Sequence, residues 1–319
     1  MPGEAAPPGG REFARLPRAG AFAVVVAWYA VAGVAAAVAA AGLRGHHPVA
    51  VALFADLVGT AVVFAGSMLL ANASLYDPYW SLGPAVVGAY WLSVAPDGLP
   101  TEVRVRQAAV AALVLAWSLR LTGNWARGWR GLGHEDWRYV QLRRDTAGRL
   151  PWWVVNLAGI ELMPTLVVFV ALLPLWPVLG LGGRGLGVLD AVALAVTATA
   201  VGVETVADIQ LRRFTADPAN AARVADRGLW AWSRHPNYLG EIGFWWGLWL
   251  FGVAASPSWW WTVTGPLTVV VLFQAASIPL MEQRLRRHRP GYADYAARVP
   301  RLLPLPRRGA RPRPRTGPR

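Results

Sequence analysis

The 319-residue chain contains no cysteine and no lysine. The lack of cysteine excludes disulfides, thiol catalysis, iron–sulfur clusters and cysteine-ligated zinc. The lack of lysine excludes Schiff-base and lysine-base chemistry, so every basic side chain other than histidine is an arginine. The five histidines argue against a histidine-rich metal site, and we predict no bound metal.

Charge is scarce as well. Only 15% of the residues are charged, 55% are hydrophobic and the mean hydropathy is +0.34, whereas about a quarter of the residues in a soluble domain are charged. The apolar residues fall into stretches of about 20, the length that crosses a bilayer core. We therefore predict an all-α polytopic transmembrane helical bundle of about seven to eight spans, rather than a soluble enzyme. The candidate spans lie near 19–43, 49–71, 80–95, 105–122, 152–179, 186–207, 239–255 and 258–281.

Arginine is the abundant charge, since 31 basic residues face 18 acidic ones and the net charge is +13. The arginines collect in the loops 123–150 and 208–238 and in the C-terminal tail, as expected for cytoplasmic segments of a membrane protein rather than for a nucleic-acid-binding surface. Eight spans place these segments on one side, so we predict that both termini are cytoplasmic. Residues 1–18 and 306–319, rich in proline, glycine and arginine, are predicted to be a disordered lead and tail around a membrane domain at 19–305.

The densest group of polar residues lies between positions 204 and 241. Ionisable residues at membrane depth are costly and indicate function. Glu204 and Asp208 share one helical face, and Asn237 and Glu241 share a face of the next helix, which Pro236 begins. A solvated basic loop explains the nearby cations, which can also hold a phosphate or carboxylate, but it does not explain the acids and the amide. These cations are Arg212, Arg213, Arg234 and His235.

A second polar group follows the last span. It contains Glu282, Arg284, Arg287, Tyr292, Asp294 and Tyr295. An amphipathic helix at the membrane interface is the alternative interpretation of this segment.

These residues carry a resemblance to a known family. SRHPNYLGE at 233–241, preceded by Glu204 and Asp208 and followed by PLMEQRL, GYADY and RLLP, resembles the steroid 5-alpha-reductase-like superfamily of membrane enzymes. YDPYWS at 76–81, LRLTGNWARGW and HEDWRY resemble its bacterial branch of uncharacterised proteins. The resemblance covers about 70–305, and it implies a multi-pass protein of the bacterial inner membrane with its cofactor-binding half at about 186–305.

The resemblance implies an NADPH-dependent oxidoreductase of lipid metabolism. Such an enzyme transfers hydride to the β-carbon of an α,β-unsaturated carbonyl in a lipophilic, steroid-like small molecule. The resemblance implies cofactor contacts at Glu204, Asp208, Arg212, Arg213, Asn237, Tyr238, Glu241, Arg284, Arg287 and Tyr295. We add Arg234 and His235, the cations of the polar group described above, to the predicted cofactor site.

Hydride transfer also needs an acid near the carbonyl oxygen, to stabilise the developing enolate. The candidates are Asp77 and Tyr79 in YDPYWS, Tyr139 in HEDWRY, and Glu161 within a span. Asp56, in the second span, is either a cavity residue or the partner of an interhelical hydrogen bond.

Two other functions compete with the reductase. The isoprenylcysteine carboxyl methyltransferases, which use S-adenosylmethionine, resemble the C-terminal half through Arg234 to Tyr238 and Glu282 to Pro304. Glu241, the Glu204–Asp208 pair and the motifs before residue 150 favour the reductase. The second alternative is a non-enzymatic, lipid-binding membrane protein.

Overall fold

The computed structural model describes residues 13–304. This part of the chain forms helices and turns and contains no strand, so the predicted all-α class is confirmed. Most of the predicted lead 1–18 and all of the predicted tail 306–319 lie outside the described residues. The α-helices are α1 (Arg18–Gly42), α2 (Pro48–Leu69), α3 (Asp77–Ser93), α4 (Thr101–Gly128), α5 (Trp137–Thr146), α6 (Trp152–Val155), α7 (Met163–Leu172), α8 (Leu175–Leu179), α9 (Val188–Ala216), α10 (Pro236–Ala255), α11 (Thr264–Leu272), α12 (Ile278–His288) and α13 (Tyr292–Arg298).

Six helical segments between residues 13 and 304 are long and apolar enough to cross a membrane. By length and composition the candidate spans thus number six, against the seven to eight predicted. Helix α3 has only 17 residues, below the roughly 20 that span the hydrocarbon. Helix α10 carries Asn237 and Glu241 in its first two turns and three tryptophans beyond them, which lower its hydropathy. The six segments are α1, α2, α4, Trp152–Leu172, α9 and Pro257–His288.

Helices α1 and α2 form a hairpin in the membrane. Gly45, at φ +91°, supplies the left-handed residue of the turn between them. Pro48 begins α2 at a position where its missing N–H costs nothing, and the His47 ring accepts a hydrogen bond from the Val49 N–H. Since the turn is short, the two helices run antiparallel and side by side.

A π-helical segment, Asn156–Leu162, lies inside the Trp152–Leu172 span, directly before α7. Pro164, in the first turn of α7, has no N–H to donate to the preceding turn. The widened turn places Asn156 and Glu161 in the protein interior, where both side chains are fully buried. Such π segments recur at functional sites.

The chain divides into two compact units. The first comprises Met1–Leu194 and Leu248–Thr268, and the second comprises Ala195–Gly247 and Val269–Arg319. Helices α9, α10 and α11 have residues in both units.

A buried ion pair holds the first unit together near its glycine-rich loop. The Arg106 guanidinium donates to Asp190 at 2.7 Å and to the Gly182 and Gly185 carbonyls. The Asp190 carboxylate accepts the Gly187 N–H. Arg106 is therefore neutralised and hydrogen-bonded where an unpaired charge would be very costly.

Candidate functional site

The first unit contains a large apolar groove between α1, α2 and α3. Its volume is about 880 Å³, within the range of small-molecule sites. Alanine, glycine, valine and leucine side chains form most of its walls. Asp56 and Tyr79 line one part of the groove, whereas Arg44 and His46, in the α1–α2 turn, line another.

Asp56 and Tyr79 form a hydrogen-bonded pair. The Tyr79 hydroxyl lies 2.9 Å from Asp56 Oδ1 and 2.9 Å from the Asp56 carbonyl oxygen. Gly59, one turn after Asp56, makes this approach possible, because a Cβ at Gly59 would overlap the Tyr79 hydroxyl. Of the two interpretations of Asp56, both hold: it lines the groove and it accepts an interhelical hydrogen bond.

The number of protons on the Tyr79–Asp56 pair determines whether it can give one to a ligand. A tyrosine hydroxyl has one proton and can donate it fully to only one of the two oxygens beside it. A second proton, on the Asp56 carboxyl, would satisfy both contacts at once. The pair can therefore carry two protons and give one to a ligand oxygen in the groove.

Asp77 and Tyr139 form a different pair, and neither residue lines the groove. The Tyr139 hydroxyl donates to Asp77 at 2.6 Å, and Arg138 lies 3.7 Å from the same carboxylate. Burial raises the pKa of Asp77 to about 6, against the lowering effect of Arg138. Burial and the Asp77 charge raise the pKa of Tyr139. The pair joins the start of α3 to α5, which lies in the loop between α4 and α6.

Two further hydrogen bonds attach this loop beside the same turn. The Asp136 N–H donates to Ser74 Oγ at 2.7 Å, and the Asn72 side chain donates to the Leu132 carbonyl at 2.8 Å. The Asp77–Tyr139 contact is thus one of several bonds that position the loop. Of the four predicted acids, Tyr79 alone lines the groove.

Glu161, the fourth predicted acid, lies in a third polar group. Ser67 donates to one of its carboxylate oxygens and also accepts a hydrogen bond from Asn156 at 2.8 Å. All three side chains are buried. The group connects α2 with the π-helical segment and does not line the groove.

In the second unit, Glu282 is the centre of an ion-pair network that we call the Glu282 cluster. It comprises Glu282, Arg234, His235 and Arg301. One carboxylate oxygen lies 3.2 Å from Arg234 and 3.3 Å from His235, and the other lies 3.7 Å from Arg301. Arg234, His235 and Glu282 are buried, whereas the Arg301 side chain is 45% exposed. Burial lowers the pKa of His235 to about 4, although Glu282 opposes that shift.

The chain around the cluster is tied down by backbone contacts. The Arg234 N–H donates to the Pro300 carbonyl at 2.9 Å, and the Tyr295 hydroxyl donates to the Trp230 carbonyl at 2.7 Å. The segment that ends at Pro300 is thereby joined to the segment that precedes α10. Tyr295, a predicted cofactor contact, is itself buried in this arrangement.

Tyr238 stacks between two rings. Its ring lies 5.4 Å from that of His235 and 4.8 Å from that of Phe273, and both pairs are nearly parallel. The stack connects the start of α10 with the π-helical segment Phe273–Ser277.

Helices α9 and α10 approach each other through small residues in the second unit. A Cβ at Gly240 would overlap the Glu204 side chain, and a Cβ at Gly247 would overlap Thr197. The spacing from Gly240 to Gly247 is two helical turns and matches that from Thr197 to Glu204, as expected for close helix packing in membranes. Glu204 is consequently buried against α10, the helix that carries Glu241, and Glu241 accepts a hydrogen bond from the Trp245 indole at 3.0 Å.

The remaining predicted cofactor residues are more accessible. Arg212, Arg213 and Arg287 are exposed, and Asp208, Asn237 and Arg284 are half-buried. The second unit thus combines accessible guanidinium groups, which suit phosphates, with buried carboxylates and a ring stack, which suit the ribose and the nicotinamide. The residue types fit a dinucleotide.

Two residues of these groups, Glu282 and Asp56, are not among the predicted catalytic and cofactor-binding residues. Glu282 belongs to the second polar group of the sequence but is not among the predicted cofactor contacts, because its position four residues before Arg286 on an amphipathic helix gives no sign of burial. The sequence leaves two interpretations of Asp56 open, because its partner, Tyr79, lies 23 positions away.

The fold and its spans define a multi-pass helical membrane protein. Residues 63–299 match the family described as "Protein of unknown function (DUF1295)", and the chain belongs to this family. It is also similar to an uncharacterised protein of Schizosaccharomyces pombe, with 29% identity over 283 residues, which cover 81% of this chain and 80% of the yeast protein. No solved structure matches the chain significantly.

Proposed function

We propose that the protein is a membrane oxidoreductase that uses NADPH to reduce the C=C bond of an α,β-unsaturated carbonyl in a lipophilic substrate. The observation that carries the proposal is an apolar groove of about 880 Å³ lined by the Tyr79–Asp56 pair. An apolar cavity with a few convergent polar groups is the usual form of a ligand site. The pair offers a proton donor to the carbonyl oxygen of the substrate, which would otherwise have no hydrogen-bond partner in the apolar groove.

The chain's residues would act as follows. NADPH, when bound, supplies the hydride that adds to the β-carbon of the substrate. As the π electrons move to the carbonyl oxygen, the Tyr79 hydroxyl donates its proton to that oxygen and forms the enol. Asp56, in its protonated form, returns a proton to Tyr79. The enol then tautomerises to the saturated carbonyl compound.

The cofactor would be held by the second unit. Arg212, Arg213 and Arg287 would offset the phosphates, and Glu204 with Glu241 would accept hydrogen bonds from hydroxyl or amide groups. The likeness of SRHPNYLGE and the later motifs to the steroid 5-alpha-reductase-like superfamily supports this assignment.

A binding experiment tests the cofactor first. A ligand that binds the folded state raises thermal stability as its concentration exceeds its dissociation constant. We expect NADPH, and not S-adenosylmethionine, to stabilise the protein purified in detergent. Stabilisation by S-adenosylmethionine alone would replace the reductase by a methyltransferase, and stabilisation by neither would favour the lipid-binding alternative.

A matched pair of tyrosine variants tests the acid. Tyr79 and Tyr90 both line the groove, and Tyr79 is the one bonded to Asp56. We expect Tyr79→Phe to lower the rate of enone-dependent NADPH oxidation by about 10²–10³-fold, the usual loss for one donor to a developing oxyanion. Tyr90→Phe should retain the rate within about threefold. Equal rates for the two variants would remove Tyr79 from the mechanism.

A further inference from the structure

The groove has polar side chains in two separate places. Helix α1 contributes wall residues from Tyr29 to Ala41, a rise of about 18 Å. The turn that follows contributes Arg44 and His46. Asp56 lies eight residues into α2 beyond Pro48, which places it about 12 Å along the helix from the turn.

Between these places the walls are nearly all apolar and small. After Tyr29, the α1 face consists of alanines and one glycine, with Ala36 near its middle. On α3, Tyr90 lies eleven residues after Tyr79, about 16 Å along the axis. A ligand that fills the groove therefore has an apolar middle and can be polar at both ends.

The charge at the turn selects the kind of end group. Arg44 is exposed, and among residues 13–304 no carboxylate forms an ion pair with it. Its guanidinium can bond two oxygens of a carboxylate or phosphate at once. At the other place, the Tyr79 hydroxyl and the protonated Asp56 carboxyl are hydrogen-bond donors, which suit a neutral carbonyl oxygen.

We infer that the groove binds one long-chain lipid whose anionic headgroup, a carboxylate or a phosphate, is held by Arg44 and whose chain extends toward Tyr79. The inference rests on the proposed function only for the statement that the chain carries the reducible carbonyl near Tyr79. Headgroup binding at Arg44 is independent of any cofactor. Binding at Arg44 therefore adds a second requirement for the substrate, an anionic headgroup, since a neutral lipid would form no ion pair with Arg44.

Three probes that differ only in the headgroup test the inference. Hexadecanoate, hexadecyl phosphate and hexadecanol are used to displace a fluorescent fatty acid from the purified protein, without NADPH. For the wild type we expect both anions to displace it at about tenfold lower concentration than the alcohol, as one charge-assisted contact provides. Whichever anion binds more tightly identifies the headgroup.

Two variants and a control locate the contact. Arg44→Gln should remove the tenfold preference by weakening the anions and leaving the alcohol unchanged, whereas Arg184→Gln, an exposed loop arginine that does not line the groove, should retain it. Ala36→Phe should weaken all three probes, because its ring would occupy the groove. Retention of the preference by Arg44→Gln, or unchanged binding by Ala36→Phe, would overturn the inference.

The experiment separates this inference from the reductase. If Arg44-dependent binding of the anions is found but NADPH neither binds nor is oxidised, the headgroup site stands and the reductase fails. If NADPH is oxidised with neutral enones and Arg44→Gln changes no binding, the reductase stands and the headgroup site fails.

Discussion

The Asp56–Tyr79 pair and the Glu282 cluster each hold a carboxylate, half-buried in the first and buried in the second, but they surround it differently. Asp56 has a neutral hydroxyl as its side-chain partner and lines a groove. Glu282 has Arg234 and His235 on one oxygen and Arg301 near the other. The first carboxylate retains the ability to exchange a proton with a ligand, whereas the second is used to hold cations of its own chain.

This difference changes which residues we expect to meet a cofactor. Arg234 and His235, predicted as phosphate donors, already contact Glu282. A guanidinium bonded to a buried carboxylate has less to offer a phosphate than an accessible one. The exposed Arg213 and Arg287 are therefore better placed for that role.

The largest stability change is expected from Glu282→Gln. It leaves Arg234 without its counter-charge in a buried site, and breaking a buried pair in this way costs about 3–5 kcal/mol. The free energy of unfolding in mixed micelles measures it. Arg301→Gln is the matched control, because Arg301 is 45% exposed and 3.7 Å from the carboxylate, and it should cost less than about 1 kcal/mol. Similar values for both variants would show that the cluster does not stabilise the second unit.

The pH dependence of stability is the next largest effect. Burial lowers the pKa of His235 from 6.5 to about 4, so between these values the unfolded chain binds a proton that the folded chain does not. Stability is therefore complete above about pH 7 and declines as the pH falls toward 4, by about 3 kcal/mol in the limit. Unfolding measured from pH 7.5 to 4.5 should show this slope, and His235→Gln should flatten it. A slope of the same size in the variant would assign the effect to other groups.

Gly59→Ala tests the groove instead. The added methyl group would overlap the Tyr79 hydroxyl, which costs about 1–3 kcal/mol as overpacking, while the higher helix propensity of alanine returns about 1 kcal/mol. A net loss of about 1 kcal/mol is expected, and in the Tyr79→Phe background the loss should shrink because the overlapping atom is gone. Gly83→Ala, with open space at its Cβ, is the control and should be neutral or stabilising. An unchanged loss in the double variant would mean that Gly59 does not position Tyr79.

Sequence reasoning succeeded where the signal was local. Runs of about 20 apolar residues predicted the helical membrane class. Six candidate spans are found among residues 13–304, fewer than the seven to eight predicted, because α3 is short and α10 is polar at its start.

The groove escaped prediction for a physical reason. It depends on contacts between residues far apart in the chain, and a lone aspartate in an apolar run has the same pattern whether it lines a cavity or bonds to a neighbouring helix. Asp77, Tyr139 and Glu161 were as eligible as Tyr79 by residue type. Only the three-dimensional structure separates the one that lines the groove.

The smallest stability effect, and the sharpest contrast with Glu282, is expected from Asp56→Asn. The amide oxygen can still accept from the Tyr79 hydroxyl, and the variant no longer places a half-buried ionisable group in the membrane. Stability should therefore change by less than about 1 kcal/mol or rise slightly. Enone reduction should nevertheless fall by about 10²-fold or more, because asparagine cannot return a proton to Tyr79. Parallel measurement of unfolding and of NADPH oxidation checks both parts. A large loss of stability with normal turnover would make Asp56 a structural residue, like Glu282. The two sites would then no longer differ in the role of their carboxylates.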